Sequence, residues 1–420
     1  MGVRGDLPLQ RGSQEGQEPL RQFSTKYGTP SPGEPLQCIV RWFSSARANT
    51  KDWSQAVKVV FWHFYTFRLL RGIETLIIGL ANALVRRGID VSIVTAKPTL
   101  MERLAPLDTR IKIYAYPTTR YYAHLFIVPF YVAHFAYHRY DHIVVFFADF
   151  GEGLTWRLLN KFVEMPLVLY LHYPYSGSPH RYQSFLRLGW DQMAKHILGC
   201  AAWIAQEAGE LFRRQVQVVP QGTDPERFRP DRALRSALRQ QLNLTDREVI
   251  LLNVSALEER KGIQRVIQAI ARIRRRFPHI RYLILGEGKD ELRLKNMVEE
   301  LHLEDVVIFG GITSQPEAYF NLGDIFVLLS DLEAYSLACD EAMSSGLPVL
   351  VSRTAGFLER VTPEVGFLVD PNNAEEIDAA LTKLIVDPLL RCRMGEAGRA
   401  RILANHTWDR AAEQYLELLR

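Results

Sequence analysis

From residue 57 onward, short apolar runs alternate with longer stretches of helical period. Val57 to Phe61 reads as a first strand, and Leu76, Ile77, Leu80 and Leu84 mark a helix over 73–87 that stops at Gly88. Strands are then expected at Val91–Thr95, Ile111–Tyr114, Ile143–Phe147, Leu167–Leu171, Gly199–Ala205 and Val216–Val219. Between them lie helical segments at 121–137 and 153–163. The turn Gln221-Gly222-Thr223-Asp224-Pro225 breaks the series. A second series follows: a helix at 231–242, strands at 249–253, 282–285, 306–309, 325–329, 349–351 and 366–369, and helices ending at 408–419. Strand–helix alternation of this kind predicts two doubly wound α/β halves, with a cleft between them as the preferred ligand position.

One stretch in the second series carries more polar chemistry than its core-like flanks require. DLEAYSLACDEAMSSGLPVLVS, from Asp331 to Ser352, reads as turn, helix, turn and strand directly after an apolar strand. Its helix begins near Tyr335 and Ser336, so unpaired N–H groups are expected at the carboxyl ends of the strands, a position that attracts phosphate. Glu333 lies in the turn and Glu341 inside the helix. As a pair they read either as acid and base or as acceptors for vicinal hydroxyls of ribose and a sugar.

Composition changes little in this picture. The 420 residues are 47% hydrophobic and 23% charged, as in soluble globular proteins. The net charge of +4 is uneven: 51–230 holds 21 Lys/Arg against 14 Asp/Glu, whereas 231–420 holds 24 against 29. The basic first half is compatible with an anionic partner. Cys38, Cys200, Cys339 and Cys392 are far apart and form no metal or disulfide pattern, which favours a reducing compartment. Residues 1–55, rich in Gly, Gln, Pro and Ser, read as a flexible N-terminal extension. No basic-then-apolar leader and no apolar run of membrane length is present, so the chain is expected in the cytoplasm. The aromatic segment Tyr121–Tyr137 reads as a buried helix, with a membrane-surface patch as the alternative.

Other candidates are weaker alone. Gly286-Glu287-Gly288 is part of a dinucleotide fingerprint or simply a tight turn. Arg260 and Lys261 precede a helix, where cations oppose the dipole; an anionic ligand would explain them, and so would a solvated face. His172 and Asp149 stand at strand ends.

Taken together, RGIETLIIGLANALVRRGIDVSIVT, VVPQGTDPERFRP, VSALEERKGIQRVIQAI, LILGEGKDELR, VIFGGIT, ILANHTW and above all Glu333-x7-Glu341 followed by EAMSSGLPVLVS resemble the retaining nucleotide-sugar glycosyltransferases of family 4. The resemblance covers roughly 56–420 in the family's order. It implies an α/β GT-B fold, two Rossmann-like domains facing across a cleft. They would be an acceptor-side domain at 56–228 and a nucleotide-sugar domain at 229–402, with a C-terminal helix at 403–420 packing back toward the first. It implies an enzyme, a hexosyltransferase of glycan biosynthesis. The co-substrate would be a UDP-, GDP- or ADP-linked sugar, with no metal, no other cofactor and no nucleic-acid partner.

By the same resemblance, Glu341 binds the ribose hydroxyls and Glu333 the donor sugar. Backbone N–H groups at Ala334, Tyr335 and Ser336 hold sugar and diphosphate. Lys261, helped by Arg260, neutralises the leaving diphosphate. Gly72 lets the first domain's loop come close, and His172 stands beside the reacting sugar. Two positions depart from the pattern: Ala256 replaces an arginine, and Arg71 takes the place of a first glycine. Ala256 motivates a rival reading, a degraded GT-B protein that binds a nucleotide or glycan without turnover. The acceptor expected from the basic half and the aromatic segment is a lipid-linked glycan or glycolipid, with peripheral membrane contact through the first domain.

Overall fold

The computed structural model describes residues 57–63, 72–95, 107–115, 124–146, 157–161, 163, 166–177 and 179–419. The expected extension at 1–55, Arg71 and Asp149 lie outside them.

The apolar runs become strands, the inner ones buried on both faces, as parallel sheets covered by helices require, and the edge strands partly exposed. β1 (Lys58–His63), β2 (Asp90–Thr95), β3 (Lys112–Ala115), β4 (His142–Phe146), β5 (Leu167–Leu171), β6 (His196–Gly199) and β7 (Gln217–Val218) form one parallel sheet in the order β3-β2-β1-β4-β5-β6-β7. β8 (Val249–Val254), β9 (Ile280–Leu285), β10 (Val307–Gly311), β11 (Ile325–Leu328), β12 (Val349–Ser352) and β13 (Gly366–Val369) form the second, in the order β10-β9-β8-β11-β12-β13. In register, β1 pairs Val59 with Val91 on one side and with His142 on the other. β11 pairs Ile325 with Leu251 of β8. Each sheet therefore reverses its winding beside its first strand, and ligands of such sheets sit at the carboxyl ends there.

The helices are α1 (Gly72–Arg86), α2 (His124–His138), α3 (Pro179–Leu188), α4 (Trp190–Met193), α5 (Ala202–Phe212), α6 (Arg232–Gln241), α7 (Ile263–Ile273), α8 (Glu291–Glu300), α9 (Pro316–Leu322), α10 (Leu337–Ser344), α11 (Ala355–Leu358), α12 (Ala374–Val386), α13 (Pro388–Asn405) and α14 (Trp408–Leu419). Ile263, Val266, Ile267, Ile270 and Ile273 of α7 are buried at helical spacing. Asp231, Asn373 and Asp387 each accept a first-turn N–H, starting α6, α12 and α13.

One expected strand is corrected. Gly199–Ala205 is the end of β6 followed by α5, because the small residues Gly199, Cys200 and Ala201 end the ladder and the apolar run continues as a helix. Short apolar runs do not separate strand from helix by themselves. Of the helix expected at 153–163, residues 157–159 are helical and 151–156 lie outside the described residues. The described side chains of α2 face the core: Tyr131, Val132, His134 and Phe135 are buried, while Tyr137 is exposed.

The chain crosses between the two sheets twice, and the crossings touch. Thr223 N–H donates to the His406 carbonyl (2.9 Å) and Trp408 N–H to the Thr223 carbonyl (3.3 Å). Beyond the second crossing, α14 lies on α1, with Arg86 and Arg87 paired to Asp409 and Arg87 to Glu413. Trp408, Ala411, Ala412 and Tyr415 join the core of the first sheet.

Candidate active site

Two turns at the carboxyl edge of the second sheet are stitched together. The turn after β8 is a 3-10 helix, Glu259–Lys261, closed by Gly262 at φ +68°. A Cβ at Gly262 would lie 1.9 Å from the Leu329 carbonyl oxygen, so only glycine lets this turn meet the end of β11. Asp331 N–H donates to the Arg260 carbonyl (2.8 Å), and Arg265 donates to the Leu329 carbonyl (3.0 Å).

This stitching puts Lys261 and Glu333 in contact. Lys261 Nζ donates to Glu333 Oε1 at 2.5 Å, and Ser330 Oγ donates to the same oxygen at 2.8 Å. Glu333 is 6% exposed, so its carboxylate is held by a cation and a hydroxyl rather than by bulk water. Arg260 takes another direction. Its Nε pairs with Glu258 Oε2 at 2.8 Å.

Between Glu333 and α10 the backbone turns sharply. Ser336 has φ 77° and ψ 81°, a left-handed conformation that a side chain disfavours. The backbone N–H groups of Ala334, Tyr335 and Ser336 make no hydrogen bond among the described residues, and no side chain caps α10. Successive free N–H groups in such a turn form an anion-binding concavity beside the positive end of a helix.

Glu341 follows in the second turn of α10. It is half-buried by solvent exposure, and no described residue hydrogen-bonds its carboxylate. Desolvation pushes its carboxyl up to about 8; Arg227 opposes this, while Asp340 and Glu317 add to it. The adjacent Asp340 faces the other way, fully buried against Arg360 Nε at 3.1 Å. Arg360 in turn stacks on the Tyr335 ring, 3.8 Å from its centroid. The Tyr335 hydroxyl donates to the Gln221 carbonyl (2.7 Å) at the first crossing and lies 3.3 Å from His406 Nδ1 at the second.

The first sheet contributes at its own carboxyl edge. Gly72 opens α1, and a Cβ there would lie 3.9 Å from Leu337 Cδ1, so the starts of α1 and α10 meet. His172 is buried at the end of β5, its ring 5.0 Å from that of Tyr173. His63, at the end of β1, has Nε2 3.6 Å from Glu74 Oε1 in the first turn of α1.

Lys261, Glu333, Ala334–Ser336 and Glu341 thus lie on one edge with Gly72 against it, while His172 stands on the other sheet and Arg260 is turned aside. Gly286 and Gly288 serve packing: a Cβ would lie 2.0 Å from the Ser255 oxygen at the first and 2.3 Å from the Leu257 oxygen at the second. Sequence reasoning missed Ser330, Asp340 and Arg360. Asp340 carried a signal, since two adjacent acids on one helix cannot both face a ligand. Arg360 carried none.

A family model described as Glycosyltransferase Family 4 matches residues 70–227, and one described as Glycosyl transferases group 1 matches 235–401. The chain is 30% identical over 215 residues to a GDP-mannose-dependent alpha-(1-6)-phosphatidylinositol monomannoside mannosyltransferase of Mycobacterium tuberculosis, covering 49% of this chain and 56% of that protein. It is 32% identical over 235 residues to a D-inositol 3-phosphate glycosyltransferase of Pseudarthrobacter chlorophenolicus, covering 52% and 55%. The chain spans about half the length of the curated relatives it matches. Among solved structures, it is similar to Anabaena HepE in complex with UDP and glucose (TM-score 0.73, 20% identity, 86% of this chain and 99% of that one). It is also similar to sucrose-phosphate synthase from Thermosynechococcus elongatus (TM-score 0.69, 22% identity, 86% and 98%).

Proposed function

Since the chain belongs to glycosyltransferase family 4 and has the GT-B fold, we propose that it moves a hexose from a nucleoside-diphosphate sugar to an acceptor hydroxyl, with retention at the anomeric carbon. The observation that carries this reading is the turn after β11. It places a held carboxylate (Glu333), three backbone N–H groups and a carboxylate (Glu341) that no described residue hydrogen-bonds in succession, with Lys261 in contact.

Each group has a chemical task that fits its surroundings. Glu341 accepts the vicinal ribose hydroxyls. The N–H groups of Ala334, Tyr335 and Ser336 receive sugar and diphosphate oxygens. Glu333, held in a fixed orientation by Lys261 and Ser330, accepts donor-sugar hydroxyls. Lys261 uses one of its three N–H donors on Glu333 and turns the others to the diphosphate. The anomeric carbon–phosphate oxygen bond breaks as the acceptor oxygen bonds to the same face, and the acceptor proton goes to the departing phosphate oxygen. Negative charge grows on the diphosphate during this step, and Lys261 with the turn amides stabilises it. Gly72 and His172 come from the first sheet, so closing the cleft excludes water and brings acceptor to donor.

This reading assigns acceptor binding to 56–228 and donor binding to 229–402, with 403–420 returning to the first unit. The excess of 21 Lys/Arg over 14 Asp/Glu in 51–230 supports an acceptor at an anionic surface, such as a lipid-linked glycan on the cytoplasmic face of a membrane. The names of the phosphatidylinositol-directed relatives support the same class. Among the described residues, no helix is long and apolar enough to cross a membrane.

A thermal-shift screen with UDP, GDP and ADP, then with their sugars, tests the reading. One nucleoside diphosphate should raise the melting temperature by a few degrees at saturating concentration. No shift with any of them sinks it. Co-sedimentation with anionic liposomes at low salt tests the surface assignment, and absence of binding there counts against it.

A further inference from the structure

The donor turn is gripped from the other sheet. Trp203, in the first turn of α5, donates its indole Nε1–H to the Ala334 carbonyl at 3.2 Å. The two residues are 131 positions apart, and α5 belongs with the first sheet. A planar trans peptide holds its C=O and N–H antiparallel. Anchoring the Ala334 carbonyl on Trp203 therefore aims the Tyr335 N–H away from Trp203, and that N–H makes no hydrogen bond among the described residues.

The grip is itself secured from the second domain. No residue next to α5 caps its start. Instead the Glu359 carboxylate accepts the N–H groups of Ala202 (3.2 Å) and Trp203 (2.9 Å). A carboxylate at that position also meets the positive end of the helix. Glu359 and Ala334 belong to neighbouring turns, since the Glu333 carbonyl packs 2.2 Å from where a Gly356 Cβ would stand. These contacts, in all of which α5 donates and the second domain accepts, thus clamp the first turn of α5 onto the donor turn.

We propose that Trp203 is a positioning residue for the donor site: through the Ala334 carbonyl it sets the direction of the Tyr335 N–H toward the donor's diphosphate, so docking of the two domains completes the phosphate subsite. This rests on the donor-site reading above. The ribose subsite on α10 does not depend on it, because Glu341 lies further along the helix.

The test compares nucleoside diphosphate with nucleoside. Wild type, Trp203→Phe and Glu359→Ala are titrated calorimetrically with UDP and GDP, and by ligand NMR with uridine and guanosine. Trp203→Phe keeps an aromatic ring and deletes the donor. It should weaken the preferred diphosphate about 3- to 10-fold, the size of one hydrogen bond, and leave the nucleoside within about 2-fold. Glu359→Ala, which leaves the indole intact, should give a smaller loss in the same direction, and it carries the test if Trp203→Phe folds poorly. Unchanged diphosphate affinity in both variants overturns the inference. So does an equal loss for nucleoside and diphosphate, which is the mark of general damage. A wild-type chain that binds neither of these diphosphates nor ADP refutes the donor-site reading itself, and this inference with it.

Discussion

Glu341 is a carboxyl group pushed up to about 8 by desolvation, and no described residue hydrogen-bonds it. Its folded form keeps a proton that the unfolded chain loses near the ordinary carboxyl value of 4.5. Its contribution to stability is therefore present at low pH and is lost as pH rises from about 4.5 through about 8. Ribose hydroxyls donate best to the ionised form, so ligand binding should expel the proton. Nucleoside diphosphate affinity should rise with pH, by up to about tenfold per unit, and flatten above pH 8. Calorimetry in buffers of different ionisation enthalpy measures the released proton, and Glu341→Gln should remove the slope. A flat affinity profile in wild type contradicts the assignment. Lys261 makes a different prediction. Lys261→Met should lower kcat/KM by on the order of 10²- to 10³-fold and reduce the melting temperature, because Glu333 loses its counter-ion. Adding Glu333→Gln should recover the melting temperature and not the rate. Recovery of the rate would place Lys261 outside the chemistry.

At the scale of elements, the site depends on backbone approach. Gly262→Ala introduces a Cβ 1.9 Å from the Leu329 carbonyl at positive φ, and should cost more than about 1 kcal/mol in chemical denaturation as the two turns part. A variant as stable as wild type argues against close stitching. α2 carries a pH limit of its own. Burial lowers His138 to about 4, with Lys112 and Lys58 adding and Asp90 opposing, and burial, with His138 nearby, holds His134 well below the ordinary imidazole value. Both rings are neutral in the fold while the unfolded chain takes protons near 6.5, so stability should fall as pH drops from about 6.5 toward 4. Thermal melts between pH 7 and 5 should show this, and His138→Phe should soften it; an unchanged acid limb in that variant refutes the cause. These elements also show what was legible. Buried strands read clearly because parallel sheets make continuous apolar runs, and the stretch from Asp331 to Ser352 read clearly because its charges interrupt a core pattern. Gly199–Ala205 misread because a short apolar run has no period. Trp203 and Arg360 were invisible, since their partners Ala334 and Asp340 are brought to them by the fold rather than by spacing, whereas Ser330 lies only three residues before Glu333 and was overlooked at the strand end.

At the scale of the molecule, the two sheets meet where the starts of α1 and α10 approach and are joined by crossings that touch at Thr223 and His406–Trp408. The buried Asp340–Arg360–Tyr335 stack ties α10 to the first crossing through Gln221. The sequence's two α/β series announced this architecture, while the cross-domain hydrogen bonds that define its docking had no local signal. The central claim is that the turn after β11 and the start of α10 bind a sugar nucleotide. Calorimetric titration of wild type and Glu341→Ala with the nucleoside diphosphate that most stabilises the protein tests it most directly. The account predicts saturable one-site binding to wild type and an affinity lower by about 30-fold or more in the folded variant, near 2 kcal/mol; equal affinity in the two proteins would contradict it.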